Sequence, residues 1–184
     1  GALANSWTGA FNYYWHNNSN WSLGHIPTAE EPVIITSAGY HPPNVDLYDE
    51  EVLDLTINAG ADLNIHEYTL VVNGDLTVNG ELSMMNGTSS DYSTVDVFGN
   101  TYWNSGSTFE VTAHHSFINA YGNWNYNTGS NANPAQGFVN FTGTSSNWIR
   151  CYSATSSFNN VWVYKSGGAA ARASNVCTHD MVIN

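Results

Sequence analysis

The chain has 184 residues, 42% of them hydrophobic, which is enough apolar content for one domain with a sizeable core. Three Lys and Arg residues face fifteen Asp and Glu residues, so the formal net charge is -12. This balance argues against nucleic acid as a partner, because phosphates require a basic surface, and against an anionic membrane face. No apolar run is long enough to cross a bilayer, and we expect no membrane insertion.

Charged residues make up only 10% of the chain, whereas Asn, Ser, Thr, Gly and Tyr are abundant. Such a polar but uncharged composition is typical of secreted bacterial β-proteins and disfavours long helices. All acids except Asp180 lie between Glu30 and Glu110, and the three basic residues follow them at Arg150, Lys165 and Arg172. In a rod built in sequence order, the first half would be acidic and the second mildly basic, although random drift explains the same distribution.

The first residues, Ala2-Leu3-Ala4, resemble the small-residue end of an export signal. We assign residues 1–32 to an N-terminal segment rich in aromatic residues, and residues 33–184 to the domain that follows. Two interpretations of the aromatic residues remain open: a hydrophobic lid on the first coil of a solenoid, which we favour, or a platform on which sugars stack. The residues concerned are Trp7, Tyr14, Trp15 and Trp21.

A short phrase with a central glycine recurs four times in the middle of the chain, each time after alternating apolar residues. Its glycines, Gly74, Gly99, Gly122 and Gly143, lie 25, 23 and 21 positions apart. A period in the twenties with two-residue alternation is typical of a strand-based solenoid. An antiparallel sandwich also has short strands and glycine turns, but it does not require the same phrase in every turn. We therefore predict an all-β, single-stranded parallel β-helix of about six or seven coils over residues 33–184.

The recurring glycines are predicted to lie at the corners of successive coils, where a side chain would hinder the bend. Asn100 and Asn123 each follow one of these glycines, so their amides are expected to form a short ladder. The same register predicts that four apolar residues stack in one column, namely Val72, Val97, Ala120 and Phe141.

The alternation predicts short strands separated by turns. They are expected near residues 33–36, 53–57, 62–65, 69–73, 75–78, 81–84, 94–98, 108–112, 116–120, 123–126, 137–141, 147–152 and 160–164. Two polar segments, residues 86–91 and 127–136, are predicted to be loops that leave the β-helix.

Several of these motifs together resemble a known family. The N-terminal segment contains W-T-G, N-W and P-T before V-x-I, and residues 55–82 contain L-x-I-x-x-G-A-x-L-x-I and L-x-V-x-G-D-L. This pattern resembles the opening module of large secreted β-helical surface proteins common in Bacteroidetes and related phyla. The resemblance implies a right-handed parallel β-helix, export, and an adhesive or structural task at the cell surface. The sequence departs from the family in its Glu30-Glu31-Pro32 and in its many aromatic residues in later coils.

The two cysteines, Cys151 and Cys177, are 26 residues apart, which is close to one repeat. In adjacent coils their Cα atoms could lie within the range of about 4.4–6.8 Å that a disulfide requires. We predict that bridge for an exported protein, with two buried thiols as the alternative. His114 and His115 would point to opposite faces of a strand, so no metal site and no cofactor are predicted.

Enzymatic function is a weaker alternative, since parallel β-helices include polysaccharide lyases and glycoside hydrolases. A lyase sets a Lys or Arg beside clustered acids, whereas here the two kinds of charge are separated along the chain. A hydrolase needs two carboxylates about 5–10 Å apart. The candidate pairs are Asp54 with Asp62 and Asp75 with Glu81, and the acidic residues Asp46, Asp49, Glu50 and Glu51 form either a solvated turn, which we favour, or a calcium site. We predict no catalytic activity.

The sequence given ends in an apolar run, Met181-Val182-Ile183, which is predicted to form an uncovered strand edge. Such an edge favours head-to-tail self-assembly or further repeats of a longer chain. We therefore predict a secreted, extracellular structural protein: a filament subunit or a cell-surface adhesin module. The alternative classes are a carbohydrate-binding module that recognises surface glycans through the N-terminal aromatic residues, and a β-helical glycan-active enzyme.

Overall fold

A computed structural model describes residues 1–37, 41–85, 92–112, 116–133 and 137–168, together with the backbone of residues 171–174. The described part consists of short strands and one 3-10 helix, Asn18–Asn20. The strands are β1 (Asn5–Ser6), β2 (Val33–Ile35), β3 (Asn44–Val45), β4 (Glu50–Val52), β5 (Leu55–Ile57), β6 (Asp62–Ile65), β7 (Thr69–Val72), β8 (Leu76–Val78), β9 (Glu81–Met84), β10 (Ser93–Val97), β11 (Thr101–Trp103), β12 (Thr108–Val111), β13 (Ser116–Ala120), β14 (Trp124–Tyr126), β15 (Asn131–Ala132), β16 (Phe138–Gly143), β17 (Asn147–Cys151), β18 (Asn160–Lys165) and β19 (Ala171–Ser174).

The strands form three parallel sheets in which each strand pairs with its counterpart in the next coil. The first sheet has the order β1-β2-β5-β8-β11-β14-β17-β19, the second β3-β6-β9-β12-β15, and the third β4-β7-β10-β13-β16-β18. Each coil from β2 to β16 contributes one strand to each sheet, which gives about five complete turns. The predicted all-β parallel β-helix, with an aromatic cluster at its N-terminal end, is confirmed.

The interior is filled by the alternate residues that point inward from each strand. Val97 lies in register with Val72 and Ala120, and Ala120 lies in register with Phe141, so the predicted apolar column is confirmed. In the first sheet the corresponding column changes character along the axis. Its first buried members are aliphatic, the next two are aromatic and the last is a cysteine: Ile35, Ile57 and Val78, then Trp103 and Tyr126, then Cys151.

Three features of the coils differ from the sequence predictions. About six or seven coils were predicted, whereas the described residues form about five complete turns. The strands β3, β4 and β19 were not predicted, because β3 and β4 are too short to show an alternating pattern and β19 has no large apolar residue. Residues 127–136 were predicted to be a loop that leaves the β-helix, and this is wrong for their centre: β15 pairs with β12 and extends the second sheet. The other predicted loop, residues 86–91, lies outside the described residues.

The corner glycines are required mainly because successive coils approach one another closely. A Cβ atom on Gly99 would lie 2.4 Å from the carbonyl carbon and oxygen of Gly74, and one on Gly122 would lie 2.1 Å from the Gly99 oxygen. Gly143 differs, because its backbone has a φ of 90°, a conformation that favours glycine. Corners were predicted at these four positions, but the need for glycine was explained there by the bend of the backbone alone.

The asparagines beside these glycines form the predicted ladder. Asn123 donates from both its backbone N–H and its Nδ2 to Asn100 Oδ1, at 3.1 and 2.9 Å. The ladder extends in both directions: Asn100 N donates to Asp75 Oδ1 at 2.6 Å, and Trp148 N donates to Asn123 Oδ1 at 2.8 Å. A second ladder joins Asn104 to Asn79 and to Asn127 on the next corner, so side-chain amides connect coil to coil.

Replacing Asn100 with alanine is expected to lower the free energy of unfolding by about 1–3 kcal/mol, because the two Asn123 donors lose their acceptor. Chemical denaturation of the purified chain measures this loss. Asn73→Ala is the matched control, since the Asn73 amide is exposed and donates to the exposed Glu51 carboxylate. Equal losses for the two variants would show that the ladder does not stabilise the stack.

Candidate functional site

The N-terminal tryptophans pack into a compact cluster beneath the first coil. Trp21 lies edge-on to both Trp7 and Trp15, with ring centroids 5.0 and 4.7 Å apart, and all three rings are buried. Trp7 Nε1 donates to the His41 carbonyl at 2.7 Å, and Trp21 Nε1 donates to the Trp15 carbonyl at 2.8 Å. These rings therefore present no open face to a sugar.

The segment that carries the tryptophans is joined to the first coil on two sheets. The strand β1 pairs with β2 in the first sheet, and Tyr14 forms a parallel bridge with Asn44 of β3. Tyr14 is half-buried, whereas Phe11 is 70% exposed. Of the residues proposed for sugar stacking at this end, the half-buried Tyr14 alone retains accessible ring surface.

Two histidine–glutamate pairs fasten the same segment. His16 Nδ1 lies 3.2 Å from Glu50 Oε1 of β4, and the His16 ring packs on Tyr48. Burial raises the pKa of the Glu50 carboxyl, and the His16 contact acts in the opposite direction. His25 Nε2 lies 2.9 Å from Glu31 Oε1, on the chain that leads into β2.

The His25–Glu31 pair predicts a pH dependence of folding. The hydrogen bond to Glu31 raises the pKa of His25. The pKa of Glu31 is lowered: desolvation, the largest effect, acts to raise it, and the combined hydrogen bonds of His25 and Thr28 outweigh that effect. The His25 contribution is fully present below the ordinary histidine pKa of about 6.5 and is lost as pH rises through the folded value. The Glu31 contribution is present above its ordinary pKa of about 4.3 and is lost as pH falls through the folded value.

An NMR titration of the His25 ring measures this coupling directly. We expect a midpoint above that of a model histidine, and a lower midpoint in the Glu31→Gln variant, which keeps the hydrogen-bonding shape without the charge. A His25 midpoint that does not change in Glu31→Gln would contradict the assignment.

The carboxylates considered for hydrolysis lie on neighbouring strands and coils. Asp54 precedes β5, Asp62 begins β6, and Asp62 is in register with Glu81 in the next coil. Asp54 Oδ1 accepts a hydrogen bond from the backbone of Asp75 at 2.8 Å. Desolvation raises the pKa of Asp62, and the neighbouring carboxylate of Glu81 raises it further.

The acidic residues proposed as an alternative calcium site point to separate partners. Asp49 Oδ1 accepts from the backbone N–H of Thr69 at 2.7 Å, and Glu51 Oε1 accepts from Asn73 Nδ2 at 2.9 Å. Glu50 turns inward to His16, and burial raises the pKa of Asp46. Asp49 and Glu51 are exposed, as a solvated turn predicts, but the prediction is wrong for Glu50, which is buried in β4.

Two of the three basic residues have structural contacts. Lys165 Nζ donates to the carbonyls of Thr142 and Ser145, and desolvation lowers its pKa. Arg150 donates to Asn125 Oδ1 and lies 5.7 Å above the Trp148 ring. Each cation thus joins neighbouring segments of the stack.

Two sets of predicted residues remain untested. Cys151 is buried at the end of β17, but its predicted partner Cys177 lies outside the described residues. The disulfide therefore stays a prediction. Met181, Val182 and Ile183, the predicted assembly edge, also lie outside the described residues.

The outer surface of the third sheet carries a set of aromatic side chains in register. Phe117 stacks on Phe138 with ring centroids 5.3 Å apart, and Phe138 contacts Trp162 at 4.7 Å. In a neighbouring column Phe98 stacks on Tyr121 at 4.3 Å. We call these residues, with the polar column between them, the aromatic–amide face: Phe98, Phe117, Tyr121, Phe138, Trp162 and Tyr164, with Asp96, Asn119 and Asn140.

The polar column of this face is a third side-chain ladder. Asn119 Nδ2 donates to Asp96 Oδ1 at 2.6 Å, and Asn140 Nδ2 donates to Asn119 Oδ1 at 2.7 Å. The next position in register is Trp162. Asn140 is 8% exposed, and its Oδ1 accepts no hydrogen bond from any residue that the structure describes.

This face is not recognisable from the sequence alone. Aromatic residues are frequent in the later coils, but each outward ring occupies an ordinary exposed position in an alternating strand. Only the register between coils, which places Phe138 above Phe117, converts them into a continuous surface. Alignment of the recurring phrases with one another, coil by coil, would have revealed this surface.

Comparison with known proteins adds one relationship. A family model described as a domain of unknown function, DUF8693, matches residues 6–166. The chain belongs to this family. The match spans the N-terminal cluster, all five complete coils and the aromatic–amide face, so these features lie within the DUF8693 domain.

No curated protein and no solved structure matches the chain. Among the described residues, no helix is long and apolar enough to cross a membrane.

Proposed function

We propose that this chain is a non-catalytic structural module of an exported cell-surface protein, of the adhesin or filament type. The observation that carries the proposal is the set of side-chain ladders that join successive coils. They run through Asn100 and Asn123, through Asn79 and Asn104, and through Asn119 and Asn140. A molecule joined in this way along three lines is suited to hold a binding surface at a fixed distance from its point of attachment.

The surroundings of the titratable groups support a structural role. Asp54 and Asp75 accept hydrogen bonds from the backbone of the next coil, and Lys165 and Arg150 join neighbouring segments. A general acid or base needs a group free to exchange a proton with a substrate. Carboxylates and cations engaged in this way stabilise the stack instead.

Export and assembly are parts of the same proposal. The composition, with few charges and abundant Asn, Ser, Thr and Gly, supports an extracellular location. For assembly, the proposal is head-to-tail stacking on copies of this chain or on further repeats of a longer chain.

Antibody labelling of intact cells of the source organism tests the location. We expect the antibody to label unpermeabilised cells, and brief external protease treatment to remove the signal. Labelling that requires permeabilisation would contradict export.

A second experiment tests the non-catalytic assignment. Incubation of the purified chain with polysaccharides is expected to release no products, and turnover would overturn the assignment.

A further inference from the structure

We propose that the aromatic–amide face binds a neutral polysaccharide, with Trp162 and Tyr164 stacking against its sugar rings. This inference names a ligand class for the adhesive role and rests on that proposed function. Carbohydrates are recognised through two kinds of contact, apolar ring faces and planar hydrogen-bonding groups. The face supplies both in adjacent columns of one sheet.

The rings differ in how much surface they leave for a ligand. Phe98 and Tyr121 stack with an interplanar angle of 19°, so each covers one face of the other. Trp162 and Tyr164 lie almost perpendicular, at 87°, and are 42% and 61% exposed. Amphipathic aromatic side chains in this arrangement offer accessible apolar area beside polar groups. Trp162 and Tyr164 are therefore the stacking residues, and Phe117 and Phe138 pack against Trp162.

The Asn140 amide provides the polar part of the site. Its Nδ2 donates to Asn119, and its Oδ1 is buried without a described donor beneath the position of Trp162. A buried acceptor without a donor costs about 1–3 kcal/mol. Trp162 occupies the next position in register and is 42% exposed, so a sugar stacked on its ring lies beside this oxygen, and a sugar hydroxyl can donate to it. The ligand is thus one that carries hydroxyl donors.

Charge selects a neutral polymer over an acidic one. The face contains the Asp96 carboxylate, which accepts from Asn119, and the nearby ammonium of Lys165 is engaged by two carbonyls. Most acids of the chain lie before residue 111, so the local groups decide: on the described face a sulfate or uronic acid group meets the Asp96 carboxylate, and Lys165 is already engaged. A neutral glycan avoids this repulsion.

The position of the two rings sets the direction of the bound glycan. Trp162 and Tyr164 are two positions apart on β18, so a glycan that contacts both rings lies along that strand and across the axis of the β-helix. Asn140 is in register with Trp162 on the neighbouring strand, so its amide lies beside the sugar that stacks on Trp162.

The test is binding of the whole chain to an array of neutral, uronic acid and sulfated oligosaccharides, followed by titration with the strongest neutral one. We expect binding to neutral glycans, an affinity at least tenfold weaker in both Trp162→Ala and Tyr164→Ala, and weaker binding in Asn140→Leu. Tyr152→Ala is the matched control, because Tyr152 is 50% exposed and follows β17 in a different sheet. Thermal melting of each variant confirms that it is folded.

Three outcomes would overturn the inference: no binding to any neutral glycan, binding restricted to acidic glycans, or equal affinity in the Trp162, Tyr164 and Tyr152 variants. Concentration-dependent dimerisation that Trp162→Ala abolishes, without glycan binding, would instead assign the face to a second copy. Each of these results leaves the cell-surface labelling unaffected, so a failure here is distinguishable from a failure of the proposed function.

Discussion

Replacement of Trp21 with alanine is expected to lower the free energy of unfolding by about 3–5 kcal/mol. Trp21 is the central ring of the N-terminal cluster: it contacts Trp7 and Trp15 edge-on and donates its indole N–H to the Trp15 carbonyl. Its removal opens a cavity inside the cluster that covers the first coil. For a chain of this length, the loss corresponds to a fall in melting temperature of about 10 °C. Trp7→Ala is expected to act in the same direction.

Phe11→Ala is the matched control for the cluster. Phe11 belongs to the same segment but is 70% exposed, so its removal is expected to change stability by less than about 0.5 kcal/mol. If Trp21→Ala melts like the wild-type chain and loses affinity for a sugar instead, the cluster is a binding platform and not a cap.

The second large effect is expected for Gly122→Ala. The added Cβ atom would lie 2.1 Å from the Gly99 oxygen and 2.5 Å from its carbonyl carbon, so the backbones of two coils must separate. Overpacking against side chains costs about 1–3 kcal/mol, and a clash with backbone exceeds this because no rotamer relieves it. We expect a loss above about 3 kcal/mol in chemical denaturation, or no soluble folded chain.

Gly24→Ala separates this clash from ordinary glycine effects. Gly24 has a φ of 75° and no atom within 4 Å of an added Cβ, so alanine there incurs only backbone strain of about 1–2 kcal/mol. A Gly122 variant no less stable than the Gly24 variant would show that the coils are not in close contact at this corner.

The repeat carried most of the information about the fold. Because glycines recur at the corners and apolar residues alternate between them, the register of Val72 with Val97 followed from spacing alone. Strand β15 did not follow, because two residues within a polar segment show no alternation, and its pairing with β12 depends on the coil below. Short strands of this kind are fixed by their neighbours and not by their own sequence.

The candidate site was less predictable, for a related reason. Trp7 and Trp21 were recognisable as a cap from their density near the N-terminus, but the His16–Glu50 contact joins residues 34 positions apart without a motif. The Asn100–Asn123 amide contact was predictable because both residues occupy the same place in the repeat. The register of Asn140 with Trp162 was not predictable, because the column of amides ends at Asn140 and a tryptophan takes the next position.

The adhesive role is tested most directly by attachment of source cells to a surface coated with the neutral glycan that the chain binds. Wild-type cells are compared with cells in which the gene for this protein is deleted, and with cells that carry Trp162→Ala at wild-type surface abundance. We predict that both changes strongly reduce the number of attached cells, while Tyr152→Ala leaves it unchanged. Undiminished attachment after deletion of the gene would contradict the assignment of this chain as an adhesive scaffold.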